Sequence, residues 1–382
     1  MDSRSLGVDV DAVDAPKVWD AAAVTHALVV RSDDCLLHVP AAEIWVGVRL
    51  PGTEVPERAT LIEDTLRAAG HPIIDAEAHD DDVLLRIHDP HLVEHLRTVY
   101  GRWVEAGFLS DPGQDRVVPY VMPTPGMLDG LPEREPTAVH AAAGRWCYDT
   151  MTLVGPGTWE AARGAVDVTL TAAAHVVAGE SLVYALVRPP GHHVTRSAFG
   201  GSCYLNNAAI AAQALRDGGH ERVAVIDIDA HHGNGTQALF YERPDIFYGS
   251  LHVDPGAGWF PHYAGFADEH GRLDGIGANL NVPLAPGTGD DRWLTALEQI
   301  VEATRSHGVS AVVVSLGVDA AADDPESPLH ITHAGYEMSG RLIGALGIPM
   351  IAVQEGGYHL DTLGELVLVT LRGLDGAVSD TG

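Results

Sequence analysis

Six short apolar runs spaced along the chain constrain its fold more than any other feature. They are His26–Val30, Leu182–Val187, Val223–Ile228, Ile246–Leu251, Ala311–Leu316 and Pro349–Val353. Each is aliphatic or β-branched throughout much of its length and too short to be a helix of ordinary size. Stretches of helical periodicity lie between them, at Glu57–Ala69, Pro90–Glu105, Thr158–Ala178, Asn206–Asp217, Asp291–Ser306 and His333–Leu346. The first of these ends at Gly70 and Pro72, a helix stop followed by a breaker. Continuous apolar strands alternating with helices predict an α/β chain with a parallel sheet covered by helices on both faces. No internal repeat or linker divides the 382 residues. The expected organisation is an acidic tail over 1–24 and a single domain over 25–378.

The chain carries 23 basic and 53 acidic residues, a net charge of -30. Such a field repels nucleic acid and anionic membranes, so partners of either kind are not expected. It draws cationic solutes instead. No apolar run reaches the roughly 20 residues that a membrane helix needs. The acidic N-terminus lacks a basic and apolar leader pattern, so a cytoplasmic location is expected. Cys35, Cys147 and Cys203 are widely spaced and suggest neither a disulfide framework nor a thiolate metal site. The stretch Asp111–Pro136 is rich in Pro, Gly and Asp and reads as a long loop, a class of segment that is often functional.

In parallel sheets of this kind, ligand sites gather beyond the carboxyl ends of the strands. Four polar groups stand there in succession. Arg188-Pro-Pro-Gly-His192-His193 follows one run, and Asp227-Ile-Asp229-Ala-His231-His232-Gly-Asn234 closes another. Asp319 follows Ala311–Leu316, and Glu355-Gly-Gly-Tyr358 follows Pro349–Val353. A lone strand-end aspartate or buried histidine is usually structural. Four such groups at neighbouring strand ends are better explained by a site. Asp229 and His231 alternate at one strand end and can share a metal, with Asp319 as a third ligand. Two carboxylates and one imidazole leave an open position, which is the pattern of a catalytic centre. Zinc suits these donors, and iron(II) or cobalt(II) would fit as well.

The stretches IHDPHLVEHL, PGTWEAA, RPPGHH, FGGSCYLNNAAIAAQ, DIDAHHGNGTQALFYERPDIFYGSLHVDP, SLGVDAAADDP and QEGGYHL resemble the histone deacetylase superfamily. They are most like its acetylpolyamine amidohydrolase and histone deacetylase-like amidohydrolase branch, over residues 26–375. The resemblance implies an arginase/deacetylase-like fold, an eight-stranded parallel sheet flanked by helices. It implies hydrolysis of a linear amide, releasing an acyl group, expected to be acetyl, from an amine. By the same resemblance one zinc is held by Asp229, His231 and Asp319. The two-manganese relatives carry a further aspartate where this chain has Gly233. His193 is implied as general base and then acid, with Asn234 as its support, and His192 as a partner that stays positively charged or hydrogen-bonded beside it, with Asp227 as its support. Tyr358 is implied as the oxyanion donor. A structural potassium is implied at Asp227, the backbone carbonyls of Asp229 and His231, Ser250 and Leu251. Gly201 matches a position whose carbonyl accepts the substrate N–H.

The chain also departs from the family pattern. One aromatic wall of the substrate channel is present as Phe260, but Ser202 stands where a second aromatic is usual. His140 and Met151 fall where polyamine-acting members carry acidic residues, leaving Asp149 nearby. These departures point to a wider channel suited to a bulkier acylated amine. The leading expectation is a small N-acylated amine such as an acetylpolyamine as substrate. The alternatives are a protein acetyl-lysine deacetylase and a non-catalytic binder of acylated amines. Whether the chain forms a homodimer stays open.

Overall fold

The computed structural model of the protein describes residues 26–132 and 134–376. The expected tail over 1–24 and residues 25, 133, 377 and 378 of the expected domain lie outside the described residues. Ten strands are present among the described residues: β1 (Leu28–Arg31), β2 (Glu43–Trp45), β3 (Val48–Leu50), β4 (Ile73–Asp75), β5 (Leu182–Ala185), β6 (Val223–Asp227), β7 (Ile246–Val253), β8 (Asn279–Leu284), β9 (Ala311–Leu316) and β10 (Met350–Gln354). Eight of them form one sheet in the order β4-β1-β5-β10-β9-β6-β7-β8. All its pairings are parallel. The expected eight-stranded parallel sheet is therefore found. β2 and β3 form a separate antiparallel hairpin.

Alternate residues of each central strand face opposite helical layers. Val183, Val225, Val313 and Ile351 belong to the core under the helices Thr158–Val177 and Asn207–Asp217. Tyr184, Ala224, Val314 and Ala352 belong to the opposite core, under Glu57–Ala68, Asp290–His307, His333–Gly344 and Leu360–Gly376. Burial on both faces explains why these strands read as unbroken apolar runs. The edge strands read differently. β4 is three residues long, and β8 contains Pro283, which is tolerated where one side of the ladder is unpaired.

Register across the sheet decides where polarity can begin. Asp227 stands opposite Ser250 on one side and Ser315 on the other. Ser315 stands opposite Val353, and Val353 opposite Ala185. The row thus changes from Ser-Asp-Ser to Val-Ala halfway across the sheet. The polar groups beyond this row are all delivered to the same end of the molecule.

Trp293 is fully buried, and its indole N–H donates to the Ser339 hydroxyl at 2.9 Å, joining the helices Asp290–His307 and His333–Gly344. Trp293→Ala should therefore destabilise the protein by about 3–5 kcal/mol, measured by denaturant unfolding.

Candidate active site

The site grows from the end of β6. Asp227 is completely buried, accepts from the Tyr248 hydroxyl at 3.0 Å and lies 3.1 Å from His192 Nδ1. Two and four residues on, the chain turns out of the strand and presents Asp229 and His231. Asp319 enters from the loop after β9. Donor atoms of these three residues lie within 4.8 Å of one another. His231 Nδ1 is 3.0 Å from Asp319 Oδ2 and 3.3 Å from Asp229 Oδ1.

Backbone amides hold the two carboxylates in place. Gly356 N–H donates to Asp229 Oδ2 at 2.7 Å, and Ala230 N–H donates to Asp319 Oδ1 at 2.7 Å. A Cβ on residue 356 would come within 2.6 Å of an oxygen of either carboxylate, so the approach requires glycine. Burial, and next the charge of Asp229, push the Asp319 carboxyl up to about 7. Two buried carboxylates converging with an imidazole, each anchored by a backbone amide, form a donor set that fits a divalent cation. Residue 233 offers no such ligand. A Cβ there would meet Asp227 Oδ2 at 2.3 Å and Tyr248 Oη at 2.6 Å.

His192 and His193 are adjacent yet electrostatically opposite. Burial opposes charge on His192, but Asp229, Asp227 and Glu355 outweigh it and raise its pKa to about 10. Burial, the charge of His192 and then His231 hold His193 well below the usual imidazole range. His193 Nδ1 is 2.8 Å from Asn234 Oδ1, a neutral amide that demands little charge from its partner. One imidazole is thus held as a cation and its neighbour as a free base. Neighbouring titratable groups pushed apart in this way mark acid–base chemistry.

Tyr358 is half-buried on the loop after β10. The Arg58 guanidinium lies 4.8 Å from its ring centroid and donates to Gly357 O at 2.6 Å. Asp324 accepts from the Tyr358 N–H at 2.7 Å. Burial keeps the phenol protonated, well above its usual pKa. Arg58 is itself paired with the buried Glu54, which also pairs with Arg188. Of this cluster only Arg188 stood in a legible strand-end group; Glu54 and Arg58 lie far from it in the chain and belong to no metal-binding or acid–base spacing.

Ser250, expected at the potassium with Asp227 and Leu251, is fully buried and sits directly across the ladder from Asp227. Leu251 follows it in β7. Gly201 faces His193 and Phe260, since a Cβ there would come within 2.8 Å of both rings. Phe260 meets His193 edge-on at 4.7 Å. Ser202 is half-buried in the same turn, with its N–H on Thr152 Oγ1. His140 is turned to the rings of Phe108 and Tyr120. Met151 donates its N–H to Asp149. Asp149 itself accepts from Met151, Thr152 and Gly201, so its carboxylate holds the turn together. Two features near these residues were missed by sequence reasoning. Tyr148 faces Phe260 at 6.3 Å, and Glu43 interacts with Glu326, which also acts on Tyr358.

Fold and site together define an amide hydrolase of the deacetylase class. The family model for the histone deacetylase domain matches residues 52–374, and the chain belongs to that family. It is 38% identical over 349 residues to the acetylpolyamine amidohydrolase of Mycoplana ramosa, covering 91% of this chain and 99% of that one. It is 40% identical over 331 residues to the acetylpolyamine amidohydrolase of Burkholderia pseudomallei, covering 86% and 93%. A crystal structure of acetylpolyamine aminohydrolase from Burkholderia pseudomallei superimposes with a TM-score of 0.85 at 38% identity, over 92% of this chain and 99% of that one.

Burial, and next Glu326, raise the Glu43 carboxyl to about 7 from its ordinary value of 4.5. A raised carboxyl contributes stability that is present below its unfolded pKa and lost as pH rises through its folded one. Glu43→Gln removes that loss. The melting temperature of the variant should exceed that of the wild type more at about pH 8 than at about pH 5.

Proposed function

We propose that this protein is a zinc-dependent deacetylase of small N-acetylated amines, with acetylpolyamines as the substrate class. The reading takes 25–378 as one catalytic domain acting in the cytoplasm. The observation that carries it is the pairing of His192, backed by the Asp227 carboxylate, with His193, backed by the Asn234 amide, beside the converging donors of Asp229, His231 and Asp319. The relatives that match nearly end to end are named for acetylpolyamines. The net charge of -30 favours approach of a cationic substrate.

Asp229, His231 and Asp319 would hold the zinc. Bound there, zinc supplies Lewis acidity toward an acyl oxygen and makes a nearby water more acidic. The protein's own groups supply the proton transfers. Nδ1–H of His193 donates to Asn234 Oδ1, which leaves Nε2 free to take a proton from the attacking water. The same Nε2–H then passes its proton to the departing amine nitrogen. His192, charged through its bond to Asp227, opposes accumulation of positive charge on His193 before attack and stabilises the anionic transition state. The protonated phenol of Tyr358 donates to the developing oxyanion. Asp227, with the backbone carbonyls of Asp229 and His231, Ser250 and Leu251, would hold a structural potassium behind His192.

Asp319→Asn should lose most bound zinc, whereas His193→Ala and Tyr358→Phe should keep it. The latter two should lower kcat by roughly 100- to 10,000-fold, the usual contribution of general acid–base groups. Elemental analysis and steady-state kinetics on the same preparations separate these outcomes. Full kcat in either variant removes that residue from the reaction.

The substrate assignment is tested by kcat/KM for N-acetylputrescine, N-acetylspermidine and acetyl-lysine peptides. The acetylated polyamines should be preferred. A higher kcat/KM for the peptides transfers the assignment to protein acetyl-lysine, the second reading of the same machinery.

A further inference from the structure

The channel wall that position 202 does not provide is supplied from another part of the chain. Tyr148 and Phe260 lie with ring centroids 6.3 Å apart and planes only 15° from parallel. Phe260 also covers His193 edge-on at 4.7 Å. The Gly200–Gly201 backbone runs against both rings. A Cβ on residue 200 would meet Tyr148 Cε2 at 2.4 Å, and one on residue 201 would meet Phe260 Cε1 at 2.8 Å and His193 Cδ2 at 2.3 Å. An alkyl chain reaching His193 over Gly201 therefore passes Tyr148 and Phe260. Ser202 ends one atom beyond Cβ and can offer no ring.

The position of Tyr148 is built into the backbone. Its N–H donates to Phe199 O at 3.1 Å, beside a parallel bridge between Cys147 and Phe199. Asp149, the next residue, accepts from Gly201 N–H at 2.6 Å, and Thr152 Oγ1 accepts from Ser202 N–H at 2.9 Å. These bonds lock the segment 148–152 to the turn 200–202. The Tyr148 hydroxyl donates to His193 O at 2.9 Å and interacts with the Asn234 side chain. Asn234 in turn supports the His193 ring.

We propose that Tyr148 is a specificity-determining residue of this site, its ring forming the aromatic wall for a slender acylated alkyl chain and its hydroxyl positioning His193. The inference rests on the deacetylase reading given above. Ring and hydroxyl have separable consequences. Removing the ring takes apolar contact from the bound alkyl chain and raises KM, with most effect on unbranched substrates. Removing the hydroxyl alone leaves the wall and disturbs the base, so it lowers kcat and shifts the pH dependence of kcat.

The test uses zinc-loaded full-length protein with N-acetylputrescine and a bulkier N-acetylbenzylamine. Tyr148→Ala and Tyr148→Leu should raise KM for N-acetylputrescine by about threefold to tenfold, and less for the benzyl substrate. Ser202→Tyr should recover KM in the Tyr148→Ala background, a non-additivity expected of groups sharing one contact. Tyr148→Phe should keep KM and lower kcat, with a displaced pH profile. Melting curves of each variant identify any that fail to fold, and Tyr148→Leu retains the apolar bulk in that event. An unchanged KM in folded Tyr148→Ala and Tyr148→Leu overturns the wall. An unchanged kcat and pH profile in Tyr148→Phe overturns the positioning role. Both results leave the deacetylase reading standing, whereas a wild-type protein that hydrolyses no acetylated amine removes that reading and this inference together.

Discussion

Four carboxyl groups, Asp227, Asp229, Asp319 and Glu355, are buried side by side at the carboxyl end of the sheet, none more than 1% exposed. Isolated buried charge is strongly unfavourable, so the surrounding structure is arranged to answer it. Backbone N–H groups of Ala230, Gly191, His192 and Gly356 point at these oxygens. His192 becomes a cation in their midst. Asp229 and Asp319 still lie close together, and burial with the charge of Asp229 pushes the Asp319 carboxyl up. A divalent cation there would relieve their repulsion. The polypeptide around these groups is accordingly poor in side chains, with glycine at 356 and 317 pressed against the carboxylates.

The same charge arrangement divides labour between two histidines that differ by one position. His192 points to Asp227 and takes a proton from the carboxylate field, while His193 points to the amide of Asn234 and is denied one. Neither outcome is a property of the residue type. It follows from which acceptor stands behind each ring and from the repulsion between the rings. A second buried ion cluster, Glu54 with Arg58 and Arg188, performs a comparable task for Tyr358. Arg58 binds the carbonyls of Glu355 and Gly357 and covers the Tyr358 ring. The loop that carries the phenol is thereby tied to the helix that starts at Glu57.

Much of this was legible in the chain. β5, β6, β7, β9 and β10 are buried on both faces and read as continuous apolar runs. The spacing of Asp229 and His231 reflects a chain leaving a strand with alternate side chains on one side. The edge strands β4 and β8 escaped, because Ile73–Asp75 is short and Asn279–Leu284 mixes Asn and Pro with its apolar residues. The helix Leu360–Gly376 escaped too, since its start at the Gly-Gly-Tyr loop carries no capping residue pattern. His140 and Met151 could be placed near the channel by comparison along the chain, but their surroundings could not. His140 stacks among Phe108 and Tyr120, and the Asp149 carboxylate is consumed by backbone N–H groups.

By itself the sequence determined the parallel sheet and marked the polar residues gathered at its carboxyl end, while the resemblance of its motifs supplied the family and the roles proposed for those residues. The sheet and the strand-end groups depend on local periodicity and on polar residues placed a fixed few positions beyond each strand. Only the tertiary structure decided which neighbours share a wall, which acceptor stands behind each histidine, and that Tyr148 faces Phe260. Those properties come from packing between segments far apart in the chain. Burial and electrostatics act through space, and local periodicity carries no record of the partners that folding brings into contact.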